Sequence, residues 1–426
     1  MKKNGKVRIV LFSILCIIGL FGIYIYCAVQ SIPDSLALNS GQSKEVDFLL
    51  PCRVDADDQA ASAVTINGER LCDVRDHMLV SAQIAAEDSA EMEVALFGIF
   101  PVKSIALQVD DTAKTVIPGG QSIGVTLHTQ GVLIVGISKV IDETGNVSMP
   151  AKDAGLQAGD VITAVNGTVI EDAGHFAEMI NEMDGTIELT VKRNEKTFFA
   201  QVKPVMDAYD HLSRLGVWVR DSTAGVGTLT FFDPQSGQFA GLGHAITDLD
   251  TGKTLSVKDG KIISSEIVEI VRGESGLAGE LHGEFSVNEN VLGEIQKNNG
   301  FGIFGTMTTD ITNPLYPDGI EIGTRENVHD GEASILCTVD NSGIKAFTCR
   351  ISEVEKQDTP QQKSFLVTVT DKELLEKTNG IVQGMSGSPI IQDGKLIGAV
   401  THVFVQEPQK GYGVYIEWML NELTVS

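Results

Sequence analysis

Ser386 stands in the run Val-Gln-Gly-Met-Ser-Gly-Ser-Pro, residues 382–389, between Gly384 and Gly387. Acyl transfer by a serine needs three things. A base must take the hydroxyl proton, because the hydroxyl is a weak nucleophile at neutral pH. Backbone N–H groups must converge on the developing oxyanion. The chain must also bend sharply enough to aim them, and Gly384 and Gly387 allow that bend. The N–H groups of Gly384 and Ser386 are the natural oxyanion donors. Ser388 is a second hydroxyl in the run, but the turn immediately precedes Ser386, which favours Ser386 as nucleophile. Downstream, Pro-Ile-Ile-Gln-Asp-Gly-Lys-Leu-Ile reads as a hairpin around Asp393-Gly394, a type I′ pair that would anchor the serine loop.

The base must come from elsewhere in the chain. His211, His244, His282, His329 and His402 are the candidates in this half of the sequence. His244, in Gly-Leu-Gly-His-Ala-Ile-Thr-Asp, follows a strand-turn pattern and sits directly after glycines, where a side chain can project into a cleft. His402 follows the serine hairpin and can pack on it. For an orienting acid, Asp371 ends an apolar strand, yet it is also a good N-cap for Lys-Glu-Leu-Leu-Glu-Lys-Thr. Asp248, Asp250, Asp259 and Asp310 rival it by position.

These residues need a scaffold. The chain has 426 residues, enough for two or three domains, and 44 glycines among many short apolar runs. Net charge is −25, and with Lys2, Lys3, Lys6 and Arg8 ahead of the first acid, Asp34, the remainder carries −29. Such a field disfavours nucleic acid and anionic bilayer surfaces as partners of the body. Residues 9–29 contain no charge, a length that spans a bilayer as a helix, and the preceding bases favour an exported body. The organisation expected is a cytoplasmic tip and anchor at 1–30, a linker and small β module at 31–104, a domain at 105–204, and an all-β domain at 205–426. Cys337 and Cys349 flank a Gly-containing segment and can face each other on a hairpin. No Cys-x-x-Cys or His-Glu-x-x-His pattern points to a metal, and no cofactor motif appears.

Within 105–204, Phe176, Met179, Ile180 and Met183 share one helix face, and Ile187, Leu189 and Val191 alternate as a half-buried strand. With Ala-Gly-Leu-Gln-Ala-Gly-Asp-Val-Ile-Thr-Ala-Val-Asn-Gly at 154–167, the segment resembles a PDZ domain. The resemblance implies a loop that captures a peptide carboxylate and a strand edge to which the peptide adds. Gln121, Ser122, Ile123 and Gly124 would be that loop, although they precede a valine in Ser-Ile-Gly-Val where many members read Gly-Leu-Gly-Phe. Peptide termini or the chain's own segments are the ligands implied.

The order PDZ then protease, with the His244 and Ser386 motifs, resembles the SpoIVB peptidase family. That resemblance implies a mainly β chain with a chymotrypsin-like double β-barrel, His244 as base, Ser386 as nucleophile and Asp371 as acid. It also implies a role in sporulation. The enzyme would act from the forespore side, in the intermembrane space, on a membrane-anchored regulator, leading to sigma-K processing. Self-cleavage is implied too, and Ala-Asp-Asp-Gln-Ala-Ala-Ser-Ala-Val, 56–64, offers an accessible stretch. Met385 occupies the place where trypsin-like enzymes often carry the Asp that pairs with a cut N-terminus, so a switch of that kind is not expected. A non-enzymatic PDZ adaptor and an HtrA-like envelope protease are the alternatives, the latter having the opposite domain order.

Overall fold

The structure is a computed structural model that describes residues 19–20, 22–39, 43–56, 64–66, 71–75, 77–82, 90–110, 114–194, 196–286, 290–357 and 359–423. Among these, no helix is long and apolar enough to cross a membrane. Residues 9–18 and 21 of the expected anchor, and 57–63 of the expected self-cleavage stretch, lie outside the described residues.

The first folded unit is the small β module. Strands Ser35–Asn39, Phe100–Asp110, Ala90–Leu96, Cys52–Ala56 and Leu71–Val74 form a five-stranded sheet in that spatial order, and a three-stranded sheet joins it. Val54, Ile66, Met78, Met92 and Ile105, all fully buried, make its core. The chain then runs through β1 (Thr115–Pro118) into β2 (Ser122–Ile137), a strand of 16 residues.

β2 belongs to two bodies. Its second half enters the PDZ region: Val132 and Leu133 pair with β3 (Val161–Val165), followed by α1 (Ala173–Glu182), β4 (Ile187–Arg193) and β5 (Lys196–Val202). The expected periodicities hold here. Phe176, Met179 and Ile180 are the buried face of α1, and Ile187, Leu189 and Val191 point inward from β4. Asp172 caps α1 by accepting from the His175 N–H at 2.7 Å. Asn166 and Gly167 both have positive φ (48° and 81°), the backbone that a type I′ turn requires.

The first half of β2 is a barrel strand. It pairs on one side with β6 (Val217–Asp233) and on the other with β8 (Val257–Ser264). The ring continues through β9 (Val291–Asn299) and β10 (Gly302–Met307) to β7 (Gln238–Gly241), which returns to β6. This closes a six-stranded antiparallel barrel around Ile123, Leu229, Phe239, Ile262 and Ile303. The PDZ region is thus inserted between the first two strands of this barrel. Its expected start at residue 105 gives way to a strand shared by both bodies.

A second ring follows. β11 (Gly331–Cys337), β12 (Lys345–Ser352), β13 (Phe365–Val369), β16 (Lys410–Tyr415), β15 (Lys395–Val403) and β14 (Pro389–Gln392) pair in that order, and β14 returns to β11. Burial alternates along β12, with Phe347, Cys349 and Ile351 inside. The register places Cys337 opposite Lys345 and Cys349 opposite Ala333, so the two thiols do not face each other as the hairpin suggested; both are free and buried. Asp393 and Gly394 (φ 50° and 77°) make the expected turn between β14 and β15.

Candidate active site

The Ser386 loop lies where the two barrels meet. Gly384 and Gly387 have φ of 97° and 91°, open to glycine and rarely to other residues. A Cβ at Gly387 would come within 2.2 Å of the Thr228 carbonyl oxygen, so the loop packs directly on β6. Two buried threonines of that strand hold it. The Thr228 hydroxyl donates to the Gly384 carbonyl and the Thr230 hydroxyl to the Gly387 carbonyl, each at 2.8 Å. The Thr228 N–H donates to the Ser386 carbonyl at 3.0 Å. Thr228 and Thr230 escaped the sequence reading. Their signal is the Thr-Leu-Thr alternation, polar on the side of the strand that meets the loop.

The hydrogen bonds of the loop are unequal. Gln383, Met385, Gly387 and Ser388 donate their N–H groups to Gly279, Val382, Val400 and Met385 carbonyls. Among the described residues, the Gly384 and Ser386 N–H groups have no acceptor. These are the two donors expected to form the oxyanion hole. A buried loop that satisfies its other amides and leaves these two open is suited to receive a negative charge.

His244 reaches the same cleft from the first barrel. Leu242 and Gly243, with φ of 69° and 68°, turn the chain out of β7. Beyond the turn, Asn298 clamps the loop, accepting from the Ile246 N–H and donating to the Ile246 and Leu255 carbonyls at 2.8–2.9 Å. The His244 Nδ1 lies 2.8 Å from the Ala245 carbonyl. A carbonyl only accepts, so Nδ1 carries the proton and Nε2 is left with its lone pair, the tautomer a general base requires. Burial holds the His244 pKa below 6.5, with the Ala245 carbonyl opposing in part.

The cleft has a volume of about 400 Å³ and is lined by His244, Ser386, Thr401, His402 and the Gly384 turn, with apolar walls that include Val226 and Val382. The His402 ring stacks against His244 with centroids 5.0 Å apart. It gets there through an irregularity in β15, where pairing with β16 shifts between Val400 and Val403. The same bulge aims the Thr401 carbonyl inward, where it accepts from the Ser386 hydroxyl at 2.9 Å. Desolvation, then His244 and Lys363, push the His402 pKa down to about 4. The structure therefore brings Ser386 and His244 into one cleft, with the Ser386 proton resting on Thr401.

The other candidates lie elsewhere. His211, His282 and His329 are paired with Glu143, with Glu269 and Glu280, and with Asp393, on exposed surface. Asp371 is the N-cap of α2 (Lys372–Thr378), accepting from the Leu374 N–H at 3.1 Å and the Thr348 N–H at 3.3 Å. It is not among the cleft-lining residues. Asp248 and Asp250 are bound to Arg220, and Asp259 to His128. Asp310 does not line the cleft either. Met385 is fully buried in an apolar cluster with Leu281, Val382 and Ile390. Ser388 is also fully buried. The expected carboxylate loop needs correcting: Ile123 and Gly124 are paired on both sides within the first barrel, Ser122 pairs with Thr228 and accepts from the Ser265 N–H at 3.4 Å, and the Gln121 carbonyl accepts from Leu229, so no edge is open there for a peptide.

The comparisons with known proteins bear on the same regions. A family model described as SpoIVB peptidase S55 matches residues 211–420, and one described as PDZ domain matches residues 144–193. Among solved structures, the PDZ domain of an SdrC-like protein from Listeria monocytogenes is similar at 24% identity over 21% of this chain and 87% of its own, with a TM-score of 0.18. Comparison with the curated proteins gives no significant match. The chain is a serine peptidase with a PDZ domain, and it belongs to the SpoIVB peptidase family.

Proposed function

We propose that the chain is a membrane-anchored, exported endopeptidase of chymotrypsin-like architecture that cleaves a membrane-bound regulatory partner, and itself, to signal during sporulation, leading to sigma-K processing. The observation that carries the catalytic half is the pair of open N–H groups, Gly384 and Ser386, beside the Ser386 hydroxyl and His244 in one cleft. The signalling half is supported by the family match and by the charge-free run at 9–29.

In the reaction, the Ser386 hydroxyl leaves the Thr401 carbonyl and attacks the scissile carbonyl carbon. His244 Nε2 takes the proton, and the oxyanion settles against the two open amides. The protonated His244 then gives its proton to the leaving amine. Water attacks the acyl-Ser386 ester with His244 again as base, freeing the new carboxyl end. The Ala245 carbonyl keeps the ring in the right tautomer throughout. Asp371 acts at one remove: it caps α2, whose end leads within a few residues to Gly384. The apolar cleft walls favour an apolar side chain beside the cut bond.

The test is the full chain against Ser386→Ala, with labelling by a fluorophosphonate and cleavage of its own chain as readouts. Both are expected to disappear in the variant. A Ser386→Ala protein that still cleaves itself when purified sinks the assignment.

A further inference from the structure

The small β module ends in two loops that put large apolar side chains in solvent. Leu49-Leu50-Pro51 leads into the strand Cys52–Ala56, and Phe97-Gly98-Ile99 joins Ala90–Leu96 to Phe100–Asp110. The Phe97 N–H donates to the Pro51 carbonyl at 2.9 Å, so the two loops form one tip. On it Leu49, Phe97, Ile99 and Phe100 are 55%, 48%, 72% and 61% exposed. Phe97 has φ of 52° beside Gly98 at 70°, a backbone that a bulky residue rarely adopts. Asparagine suits that backbone better and would leave no ring in water, so turn geometry does not account for the phenylalanine. No charged residue stands between Asp47 and Arg53 or between Glu93 and Lys103. The flanking cations are already matched, Arg53 by Asp73 and Lys103 by Asp34, each at 2.9 Å. The tip therefore carries none of the body's net charge.

The tip lies against the end of the charge-free run at 9–29. Residues 22–30 are helical, and the Tyr24 hydroxyl donates to the Leu49 carbonyl at 3.0 Å. Ile25 packs on the module core, which includes Ile32 just beyond the helix. The next strand, Ser35–Asn39, pairs in parallel with Phe100–Asp110, and Lys103 donates to the Ile32 carbonyl. The module is thus fixed to the helix instead of hanging on a loose linker. Leu20, Ile23, Tyr24 and Tyr26 remain exposed along that helix. Tyr24 stands five residues before Val29, the last of the run, about 8 Å along the helix axis. Interfacial elements sink to a similar depth, about 5–10 Å, and tyrosines are enriched at that level. Leu49, bonded to Tyr24, is held at the same height.

We propose that the tip formed by Leu49–Pro51 and Phe97–Phe100 is a wedge that inserts into the bilayer interface beside the anchor. This rests on the reading of residues 9–29 as a membrane anchor. A bilayer is the occupant because the patch is level with the end of that run, continues its apolar surface and offers no charge for a protein partner to pair with. Insertion is driven by apolar burial, so it needs no anionic lipid and is insensitive to salt. A single helix leaves the module free to swing about its axis. A helix and a wedge together set its orientation to the membrane plane.

The experiment reconstitutes the full chain into phosphatidylcholine vesicles, with Ser386→Ala to keep it whole, and reads flotation and tryptophan quenching by brominated lipid. The parent has two tryptophans, Trp218 and Trp418, both outside the module, and supplies the background. Ile99→Trp and Leu49→Trp each add a probe on the tip. Phe199→Trp adds one on exposed β5 of the PDZ region as a control. Emission added at 99 and at 49 is expected to fall about twofold or more in brominated vesicles, since the ring lies within about 5–10 Å of the headgroup boundary. The same fall is expected at high salt, with none at 199. Adding Ile99→Asp and Phe100→Asp to the Leu49→Trp chain is expected to abolish the quenching, with an unchanged melting temperature as the folding control. A chain that floats while 49 and 99 stay unquenched overturns the wedge and leaves the anchor standing. Equal quenching at 199 also overturns it, because the whole body would then lie on the bilayer. A chain that does not float removes the anchor and the wedge together. Loss of a dimer in detergent on Ile99→Asp and Phe100→Asp, without lipid quenching of the tip probes, assigns the patch to a second copy and overturns the proposal.

Discussion

Replacing Asp371 separates two chemistries by orders of magnitude. In the structure its carboxylate accepts from the Leu374 and Thr348 N–H groups, and His244 is oriented by the Ala245 carbonyl. As a cap, Asp371 contributes about 1 kcal/mol, within about 0.5–2. Asp371→Ala should therefore lower the melting temperature by about 2–4 °C for a domain of this size. Asp371→Asn keeps an oxygen for Leu374 but turns an amide towards Thr348, a cost of up to about 1 kcal/mol. Its kcat/KM should stay within about threefold of the parent. Were Asp371 instead hydrogen-bonded to His244 during turnover, Asp371→Asn would fix the wrong tautomer and lower kcat by about 10⁴. The assay pairs peptide hydrolysis and fluorophosphonate labelling with thermal melts. A loss of about a thousandfold or more in Asp371→Asn, with its melting temperature unchanged, refutes the capping role and the conclusion that a backbone carbonyl suffices to orient the base.

Three further outcomes are expected. Because burial holds His244 below its ordinary 6.5, the neutral base persists into mild acid, and the acid limb of kcat/KM should have its midpoint below 6.5; a midpoint at or above 6.5 contradicts that assignment. His402 binds its proton near pH 4 when folded and near 6.5 when unfolded, so stability should fall as pH drops through that window, and His402→Phe should flatten the slope of denaturation midpoints against pH. Arg193 makes two hydrogen bonds, at 2.6 and 2.7 Å, to the fully buried carboxylate of Asp160, so Arg193→Met should destabilise the PDZ region by about 3–5 kcal/mol, read as loss of protection in hydrogen exchange confined to that region.

Much of the site was legible because its chemistry is local. Glycines at 384 and 387 are needed by the backbone of the turn itself, and the two amides that they expose were identifiable from the order of residues alone. The periodicities of α1 and β4, and the Asn-Gly and Asp-Gly turns, are likewise written within a few residues. His402, Asn298, Thr228 and Thr230 were not legible as site residues. Each acts on a partner more than fifty residues away or, for His402, through a bulge that only its neighbouring strand defines.

The sequence by itself determined the mainly β class, the glycine turn around Ser386, the helix face and the capping Asp371, since these depend on side-chain type and short-range backbone geometry. Tertiary structure decided which histidines share the cleft with Ser386, His244 and His402, because five were available and three are drawn to surface carboxylates. It also decided which strand edges are open. A strand's edge is open or closed according to what pairs beside it, and pairing is a property of the whole sheet. Ser122–Gly124 has the pattern of a capture loop, yet Ile123 and Gly124 pair on both sides, and Ser122 pairs with Thr228 and accepts from the Ser265 N–H.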